Sequence, residues 1–168
     1  TIAYGQANIK EIPDIFNEPK SANHWFIPNQ GQLQEDTINN ITYYVPNHNP
    51  ALYFNVMGLS YVFNKIDNDT ATTDTLHRID MKFVRGASYC RNDYYPSDEL
   101  STHYNNYYLP SCPNGVIDVY GHNLLFVEDL YSGIDLYYSS NTTGLKHYFV
   151  VHPNANIKAI GIEFEGAD

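Results

Sequence analysis

The chain has 168 residues, enough for one domain with its own core, and a formal net charge of −10 from 19 acidic and 9 basic residues. Because phosphate binding requires a basic stripe, this charge argues against nucleic acid and anionic membrane surfaces as partners. No apolar run approaches the roughly 20 residues of a membrane-spanning helix, so no membrane insertion is expected. Sixteen tyrosines and eight phenylalanines favour strands over helices, which predicts an all-β protein.

Residues 1–23 form the first predicted unit. Their periodicity is weak, and Pro13 and Pro19 interrupt any helix. We expect an N-terminal arm that lies on its own domain or on a neighbouring one.

The predicted strands begin after Trp25. The segment "NITYYVPNHNP" predicts a strand from Ile41 to Val45, and "ALYFNVMGLSYVFNKI" predicts two short strands around Gly58. In "LHRIDMKFV" apolar residues alternate with charged ones, which predicts a half-buried antiparallel strand. The two alternating sets are Ile79, Met81 and Phe83, and Arg78, Asp80 and Lys82.

The polar segment "DNDTATTDT" between these strands predicts an exposed loop. Its clustered carboxylates make Asp67, Asp69 and Asp74 a weak calcium candidate. The EF-hand pattern is not matched, because its glycine and its terminal glutamate are absent. A flexible acidic loop is therefore the favoured interpretation.

Cys90 and Cys112 are the two cysteines of the chain, and both lie in polar, turn-rich segments where free thiols would be exposed. They predict one disulfide, which would stabilise the fold by roughly 3 kcal/mol and indicates an oxidising, extracytoplasmic compartment. A zinc site is disfavoured because there is no second cysteine pair. The region between the cysteines predicts a long loop with one short strand near "NNYYLP".

Five strand-like runs follow Cys112, separated by short turn sequences. They are "GVIDVYG", "NLLFVEDL", "GIDLYYSS", "GLKHYFVVH" and "IKAIGIEFEG". Such spacing is typical of a sandwich or barrel with meander connections. Residues 24–168 are therefore predicted to be a single antiparallel β-sandwich of roughly ten strands, with long loops and little helix.

Two groups of residues suggest chemistry, and each has a simpler explanation. Glu163 and Glu165 are spaced like paired carboxylates, but on an alternating strand they share a solvent face opposite Ile162 and Phe164. Seven histidines are dispersed without the spacing of metal ligands. The sequence therefore assigns no catalytic residue, no cofactor and no metal site beyond the calcium candidate, and predicts a non-enzymatic protein.

Several segments between Trp25 and Asp168 together resemble a domain of unknown function in large secreted bacterial proteins. In order they are "FIPNQGQ", "GLSYVF", "RIDMKFVRGA", "NNYYLP", "LFVEDLYSGIDLYY" and "YFVVHPNANIKAIGIEFEGAD". The most specific pieces are "YSGIDLYY" and "VVHPNAN…FEGAD", in which Asn154 replaces the glycine that usually follows His-Pro. In such proteins the domain precedes β-propeller-type (SBBP) repeats, adhesin-like modules and a type IX secretion sorting signal. The resemblance implies a secreted surface or matrix module within a longer chain, and no catalytic residues.

The resemblance also makes three threonines candidates for O-glycosylation. Bacteria with type IX secretion modify Ser or Thr in an Asp-Thr-aliphatic context, and three such threonines lie in segments predicted as loops. They are Thr37, Thr70 and Thr75. Three Asn-x-Thr triplets, at Asn40, Asn68 and Asn141, matter only in a host with N-glycosylation.

We expect a secreted structural or adhesive module whose partners are adjacent domains of the same or neighbouring chains. Because terminal strands would offer unpaired edges, self-association into a homo-oligomer or filament by strand or arm exchange is the expected mechanism. The alternative is a carbohydrate-binding module that contacts a glycan through exposed tyrosines and Trp25.

Overall fold

The computed structural model describes residues 24–33, 40–46, 48–55, 57–65, 75–84, 94–96, 100–141 and 144–167. These residues form twelve strands and one short 3-10 helix, Ile157–Ala159, and contain no helix of the length and hydropathy that crossing a bilayer requires. The predicted arm, residues 1–23, lies outside the described residues. The strands are β1 (Ile27–Pro28), β2 (Ile41–Val45), β3 (Ala51–Asn55), β4 (Gly58–Lys65), β5 (Thr75–Val84), β6 (Tyr95–Pro96), β7 (Leu100–Leu109), β8 (Cys112–His122), β9 (Leu124–Tyr131), β10 (Ile134–Asn141), β11 (Gly144–Val151) and β12 (Gly161–Glu165).

Six strands form the larger sheet, in the order β1-β2-β3-β4-β5-β12, with antiparallel pairing throughout. The register places Phe54 opposite Leu59 and Leu59 opposite Met81, so apolar side chains continue across one face. The predicted strand at Ile41–Val45 is confirmed, as is the alternation of β5, in which Met81 and Phe83 are buried.

A four-stranded sheet, β11-β10-β9-β6, packs against that apolar face. Leu136 of β10 and Phe54 of β3 are both fully buried and belong to one hydrophobic cluster that joins the two sheets. Aromatic contacts also cross between the layers, because the ring of Phe83 lies edge-on to that of Phe149 with centroids 6.2 Å apart. The predicted antiparallel β-sandwich is confirmed.

A long hairpin of β7 and β8 precedes β9. The predicted strand "GVIDVYG" lies within β8, and the short strand predicted near "NNYYLP" is the end of β7. The long loop predicted before that short strand is wrong from Leu100 onward, where β7 begins. "LSTHYNNYYL" has similar polarity on both of its faces and so gives no hydropathy alternation. Three register shifts interrupt the pairing, and Asp118 within one of them has a positive φ of 56°.

The hairpin packs on the outer face of the larger sheet through a second, smaller core. Ile27, Tyr44 and Val119 are its buried members. At its edge the hydroxyl of Tyr44 donates to that of Tyr107, 3.0 Å away. Through this second core the hairpin is fastened to β1 and β2.

One buried polar group in the main core lacks a partner. Tyr138 is 4% exposed, and its hydroxyl makes no hydrogen bond within the part of the chain that the structure describes. Burial raises the pKa of this phenol well above 10, so the group stays neutral. An unsatisfied buried donor costs about 1–3 kcal/mol.

Replacing Tyr138 with phenylalanine is therefore expected to raise the free energy of unfolding, by about 1 kcal/mol. The substitution keeps the ring that packs on Phe54 with centroids 5.0 Å apart and removes only the orphan hydroxyl. Urea unfolding of both proteins measures the change, and Tyr44→Phe, which breaks the bond to Tyr107, is the control expected to destabilise. A loss of stability in Tyr138→Phe would show that the hydroxyl has a favourable partner in solution.

Candidate functional site

The outward face of the β7–β8 hairpin carries a group of exposed aromatic and aliphatic side chains. Its members, which we name the tyrosine face, are Tyr104, Tyr108, Ile117 and Tyr120. Tyr104, Tyr108 and Ile117 are 52%, 72% and 56% exposed, and Tyr120 is half-buried. Tyr104 and Tyr120 are cross-strand partners whose ring centroids lie 5.6 Å apart. Tyrosine offers a large contact area with few rotatable bonds, so such a face is suited to binding.

The backbone of the hairpin holds these side chains in place. The Tyr108 ring lies directly over Gly115, where a Cβ atom would come within 2.7 Å of it. Gly115 also has a positive φ of 78°, so an alanine there would be strained and would displace the ring. The amide of Asp118 donates to the Asn106 side chain at 2.9 Å, which fixes the irregular register of β8.

The opposite face of β7 anchors the hairpin to the domain. Ser101 is buried, and its Oγ accepts a hydrogen bond from the Gly121 amide of β8 at 3.0 Å, which ties the two strands of the hairpin together. Tyr107 is half-buried and accepts the bond from Tyr44. The alternation of β7 therefore separates an anchoring face from a free face, and the free face is the aromatic one.

A cleft of about 230 Å³ opens between the hairpin and the start of β1. We name it the Trp25 cleft; its lining is His24, Trp25, Ile27, Val45, Pro46, Ser101, His103, Asn105 and Gly121. The Trp25 side chain packs over Gly121, where a Cβ atom would lie 2.5 Å from that of Trp25. The cleft combines an indole with imidazole, amide and hydroxyl groups, which is the mixture that recognises sugars and other polar rings.

Two histidines lie together beside the cleft. The rings of His24 and His48 meet edge to face with centroids 4.9 Å apart. Burial, and to a smaller extent the neighbouring His48, lower the pKa of His24 below 6.5. As the pH falls from 6.5, the unfolded chain takes up a proton at His24 before the folded protein does, so the free energy of unfolding decreases.

Replacing His48 with glutamine is expected to raise the pKa of His24 toward 6.5 without reaching it, because burial remains. The loss of stability on acidification is then smaller than in the wild-type protein. An NMR titration of the His24 ring measures the pKa directly, and His103→Gln serves as the control without that ring contact. An unchanged or lower pKa in His48→Gln would contradict the assigned repulsion.

The two motifs that carried the family resemblance meet in space. Asp135 of "YSGID" is buried, and its Oδ2 lies 2.8 Å from Nε2 of His152 of "VVHPNAN". The other oxygen of Asp135 accepts from the Asp129 amide at 2.8 Å, and Asp129 in turn accepts from Gly133 at 3.1 Å. One buried carboxylate therefore fixes both the β9–β10 turn and the chain that follows β11.

Tyr131 makes the next link in that corner. Its hydroxyl donates to the carbonyl of Gly161 at 2.6 Å and accepts from the amide of the same residue at 3.1 Å. Gly133 allows the turn to approach the "HPNAN" segment closely, because a Cβ there would lie 3.1 Å from that of Ala155. Asn154 has a positive φ of 70°, the conformation that the usual glycine would adopt. The corner thus sets the start and direction of β12.

The carboxylates that resemble a glycosidase pair lie on β12, an edge strand. Glu165 pairs with Lys82 at 2.6 Å, and both Glu163 and Glu165 are exposed. The opposite face of the strand is exposed too, with Ile162 at 36% and Phe164 at 58%. The expected solvent face is confirmed for the glutamates, but the apolar side of β12 is not packed into the core.

Among the described residues, no group of three or more histidine, cysteine or acidic side chains is placed to hold a metal. The calcium candidates Asp67, Asp69 and Asp74 lie outside the described residues, as do Thr37 and Thr70. Thr75 is the first residue of β5, so its predicted loop position is wrong. Of the Asn-x-Thr residues, Asn40 is exposed, Asn141 ends β10 and Asn68 lies outside the described ranges. Glycosylation at these positions stays a prediction.

The predicted disulfide also stays a prediction, because Cys90 lies outside the described residues. Cys112 is a free cysteine in the structure; it is 9% exposed and its thiol donates to the Tyr107 carbonyl at 3.7 Å. The expectation that this thiol would be exposed is therefore wrong. Cys112 is the first residue of β8, at the turn that closes the hairpin. The sequence around it indicated the turn but not the burial of the thiol.

The tyrosine face and the Trp25 cleft depend on β7, of which the sequence predicted only the short stretch near "NNYYLP". Tyrosine content indicated an aromatic surface, but only the pairing of β7 with β8 brings Tyr104 next to Tyr120 and places His103 in the same cleft as Trp25.

The family described as "Domain of unknown function (DUF7948)" matches residues 26–168. No curated protein and no solved structure matches the chain.

Proposed function

This chain belongs to the DUF7948 family, and from that premise we propose that it is a non-enzymatic structural or adhesive module of a secreted, cell-surface or extracellular assembly. In its parent protein the module precedes SBBP-type propeller repeats and a type IX secretion sorting signal. The reading frame of the parent gene tests this placement, and a parent without either feature would remove the basis for secretion by that route.

The observation that carries the adhesive function is the tyrosine face. Tyr104, Tyr108 and Ile117 are each more than half exposed on a hairpin that the second core holds rigidly. Exposed aromatic clusters on a fixed backbone mark interaction surfaces, because burying them releases water at little conformational cost. We infer that this face contacts a neighbouring module.

Strand edges offer a second contact for assembly. The first and last strands, β1 and β12, lie at the two ends of the six-stranded sheet. The outer side of β1 is partly taken by β8, because Phe26 and His122 exchange two backbone hydrogen bonds, so β12 is the more open edge. An edge strand has unpaired backbone groups that another chain can extend. The charged side chains of Glu163 and Glu165 on β12 limit uncontrolled pairing there. Strand or arm exchange onto β12 would produce a filament.

Sedimentation of the purified chain over a range of concentrations tests the adhesive function. The double variant Tyr104→Ser/Tyr108→Ser is expected to weaken self-association at least tenfold, while Tyr95→Ser, which removes a 41% exposed tyrosine on β6, leaves it unchanged. Deletion of residues 1–22 is expected to weaken self-association if the arm is exchanged between chains, and to leave it unchanged if contact is through the tyrosine face. If all these variants self-associate as strongly as the wild-type protein, both the tyrosine face and arm exchange are ruled out as contacts.

Carbohydrate binding is the second candidate, and the Trp25 cleft favours it. Its indole, imidazoles and the Asn105 amide provide both a stacking surface and hydrogen-bonding groups in about 230 Å³. A glycan array probed with wild-type protein tests the candidate, and Asn105→Ala and Trp25→Ala are expected to lose any signal. Saturable glycan binding that survives both substitutions would mean that the sugar binds outside the Trp25 cleft. An array without signal would exclude carbohydrate binding and leave the adhesive function as the remaining candidate.

A further inference from the structure

A bulge near the closed end of the β7–β8 hairpin contains the one Asn-Gly pair of the sequence, Asn114 and Gly115. The partner pairs on either side leave residues 113–115 of β8 opposite Tyr108 alone. Gly115 has a positive φ of 78°, the left-handed conformation that glycine supplies in many bulges. The backbone of this pair therefore departs from the regular ladder.

The side chain of Asn114 is exposed and free to rotate. Within the described ranges it makes no hydrogen bond. Other exposed asparagines differ in this respect, because the side chains of Asn106 and Asn156 accept hydrogen bonds from the amides of Asp118 and Lys158, at 2.9 and 3.1 Å. The amide carbon of Asn114 is therefore free to approach the backbone nitrogen that follows it.

That nitrogen belongs to Gly115, which has no side chain to hinder an approach. The nearest group to the missing Cβ is the ring of Tyr108, which would lie 2.7 Å from it. Tyr108 is 72% exposed, so its ring can turn away into solvent without moving the backbone. An unbonded amide and an unhindered nitrogen are thus consecutive on an exposed bulge.

We propose that Asn114 is a site of spontaneous deamidation in the folded protein. The backbone nitrogen of Gly115 attacks Cγ of Asn114 and forms a carbon–nitrogen bond. The amide group of the side chain leaves as ammonia, taking the proton of the Gly115 nitrogen, and a succinimide ring remains. Water then adds to either carbonyl of the ring and opens it to aspartate or to isoaspartate. Water is the only co-reactant.

The products change the base of the tyrosine face. Each replaces a neutral amide with a carboxylate, and isoaspartate also inserts a methylene group into the main chain before Gly115. Because the Tyr108 ring lies directly over Gly115, isoaspartate displaces this ring. Weaker self-association of the modified protein is the further consequence, and this step alone rests on the proposed adhesive function.

Incubation of the folded 168-residue chain at mildly alkaline pH, followed by peptide mapping with mass spectrometry, tests the reaction. Asn156 is the internal control, since it is equally exposed but precedes the β-branched Ile157 and has a bonded side chain. Asn114 is expected to lose its amide at least about tenfold faster than Asn156. The loss is expected to be slower at mildly acidic pH, because the attacking nitrogen must be deprotonated.

The variant Asn114→Gln is the matched control, because the longer side chain closes its ring far more slowly. NMR spectra of the incubated wild-type protein are expected to gain a second set of Tyr108 signals, while those of Asn114→Gln stay unchanged. Equal rates at Asn114 and Asn156 would overturn the proposal, as would reaction at Asn114 only in the urea-unfolded chain.

Sedimentation of the same incubated samples separates the reaction from its consequence. Self-association is expected to weaken in the wild-type protein and to persist in Asn114→Gln. Unchanged self-association in samples where Asn114 has reacted would contradict the tyrosine face as the contact, and would leave the reaction itself established by the peptide map.

Discussion

Replacing Phe54 with alanine is expected to lower the free energy of unfolding by about 4 kcal/mol, the cost of losing a fully buried phenyl ring and leaving a cavity. Phe54 is 0% exposed and lies where three other rings meet it edge to face. The centroid distances are 5.4 Å to Phe26, 5.7 Å to Tyr94 and 5.0 Å to Tyr138. These residues belong to both sheets and to their connections, so the substitution weakens the contact between the layers.

Phe164→Ala is the matched control for that experiment. Phe164 lies opposite Met81 and therefore shares the inward face of the sheet, yet it is 58% exposed. We expect a loss below about 0.5 kcal/mol, because little apolar area leaves solvent at that position. Thermal unfolding separates the two variants, since 1 kcal/mol changes the melting temperature by about 2–4 °C in a domain of this size. Similar losses in both variants would mean that β12 is covered in solution.

Asp135→Ala is expected to have the next largest effect, a loss of about 3 kcal/mol. The buried carboxylate accepts from the Asp129 amide and contacts His152, both at 2.8 Å. Alanine removes the acceptor of the Asp129 amide in this partly buried corner and releases the His152 ring from the turn. Each hydrogen bond to a charged group contributes about 1.5–3 kcal/mol, which accounts for the size of the effect.

Two further variants test whether the loss comes from the hydrogen bonds of Asp135: Asp135→Asn is the conservative substitution, and Glu163→Gln is the control at an exposed carboxylate. The asparagine keeps one acceptor for the Asp129 amide and is expected to cost about half as much, because the interaction with His152 is weakened but not removed. Glu163 is an exposed carboxylate, and its replacement is expected to change stability by less than about 0.5 kcal/mol. Urea unfolding measures all three. A neutral effect of Asp135→Ala would mean that the corner is not a unit of stability.

The corner gives a structural role to residues of the most identifying motifs. Asp135, His152 and Tyr131 are all engaged in fixing backbone segments, through a carboxylate–imidazole contact and two bonds to Gly161. Their effect is to orient β12, the strand that ends the matched family region. In a multidomain protein, the direction of that strand would set the direction of whatever follows it.

Much of the sandwich was predictable because its strands alternate strongly. β2, the two strands around Gly58 and the inward residues of β5 were all predicted, since a half-buried strand requires apolar side chains at every second position. β8 was predicted as "GVIDVYG", but the first half of β7 was missed for the opposite reason. Its inward residues Ser101, His103 and Asn105 are as polar as its outward ones, so hydropathy carries no signal there.

Residue periodicity and short motifs were enough to predict the fold class, the position of most strands and the family resemblance, because backbone geometry and local burial are recorded in them. These signals did not determine the tyrosine face or the Trp25 cleft. Each of these joins residues from separate strands, as the Trp25 side chain packs over Gly121 of β8. Such neighbourhoods arise only when sheets pack and a particular register is chosen, and neither event leaves a periodic trace in one strand. The tertiary structure therefore decided where this protein has surfaces and cavities that can bind.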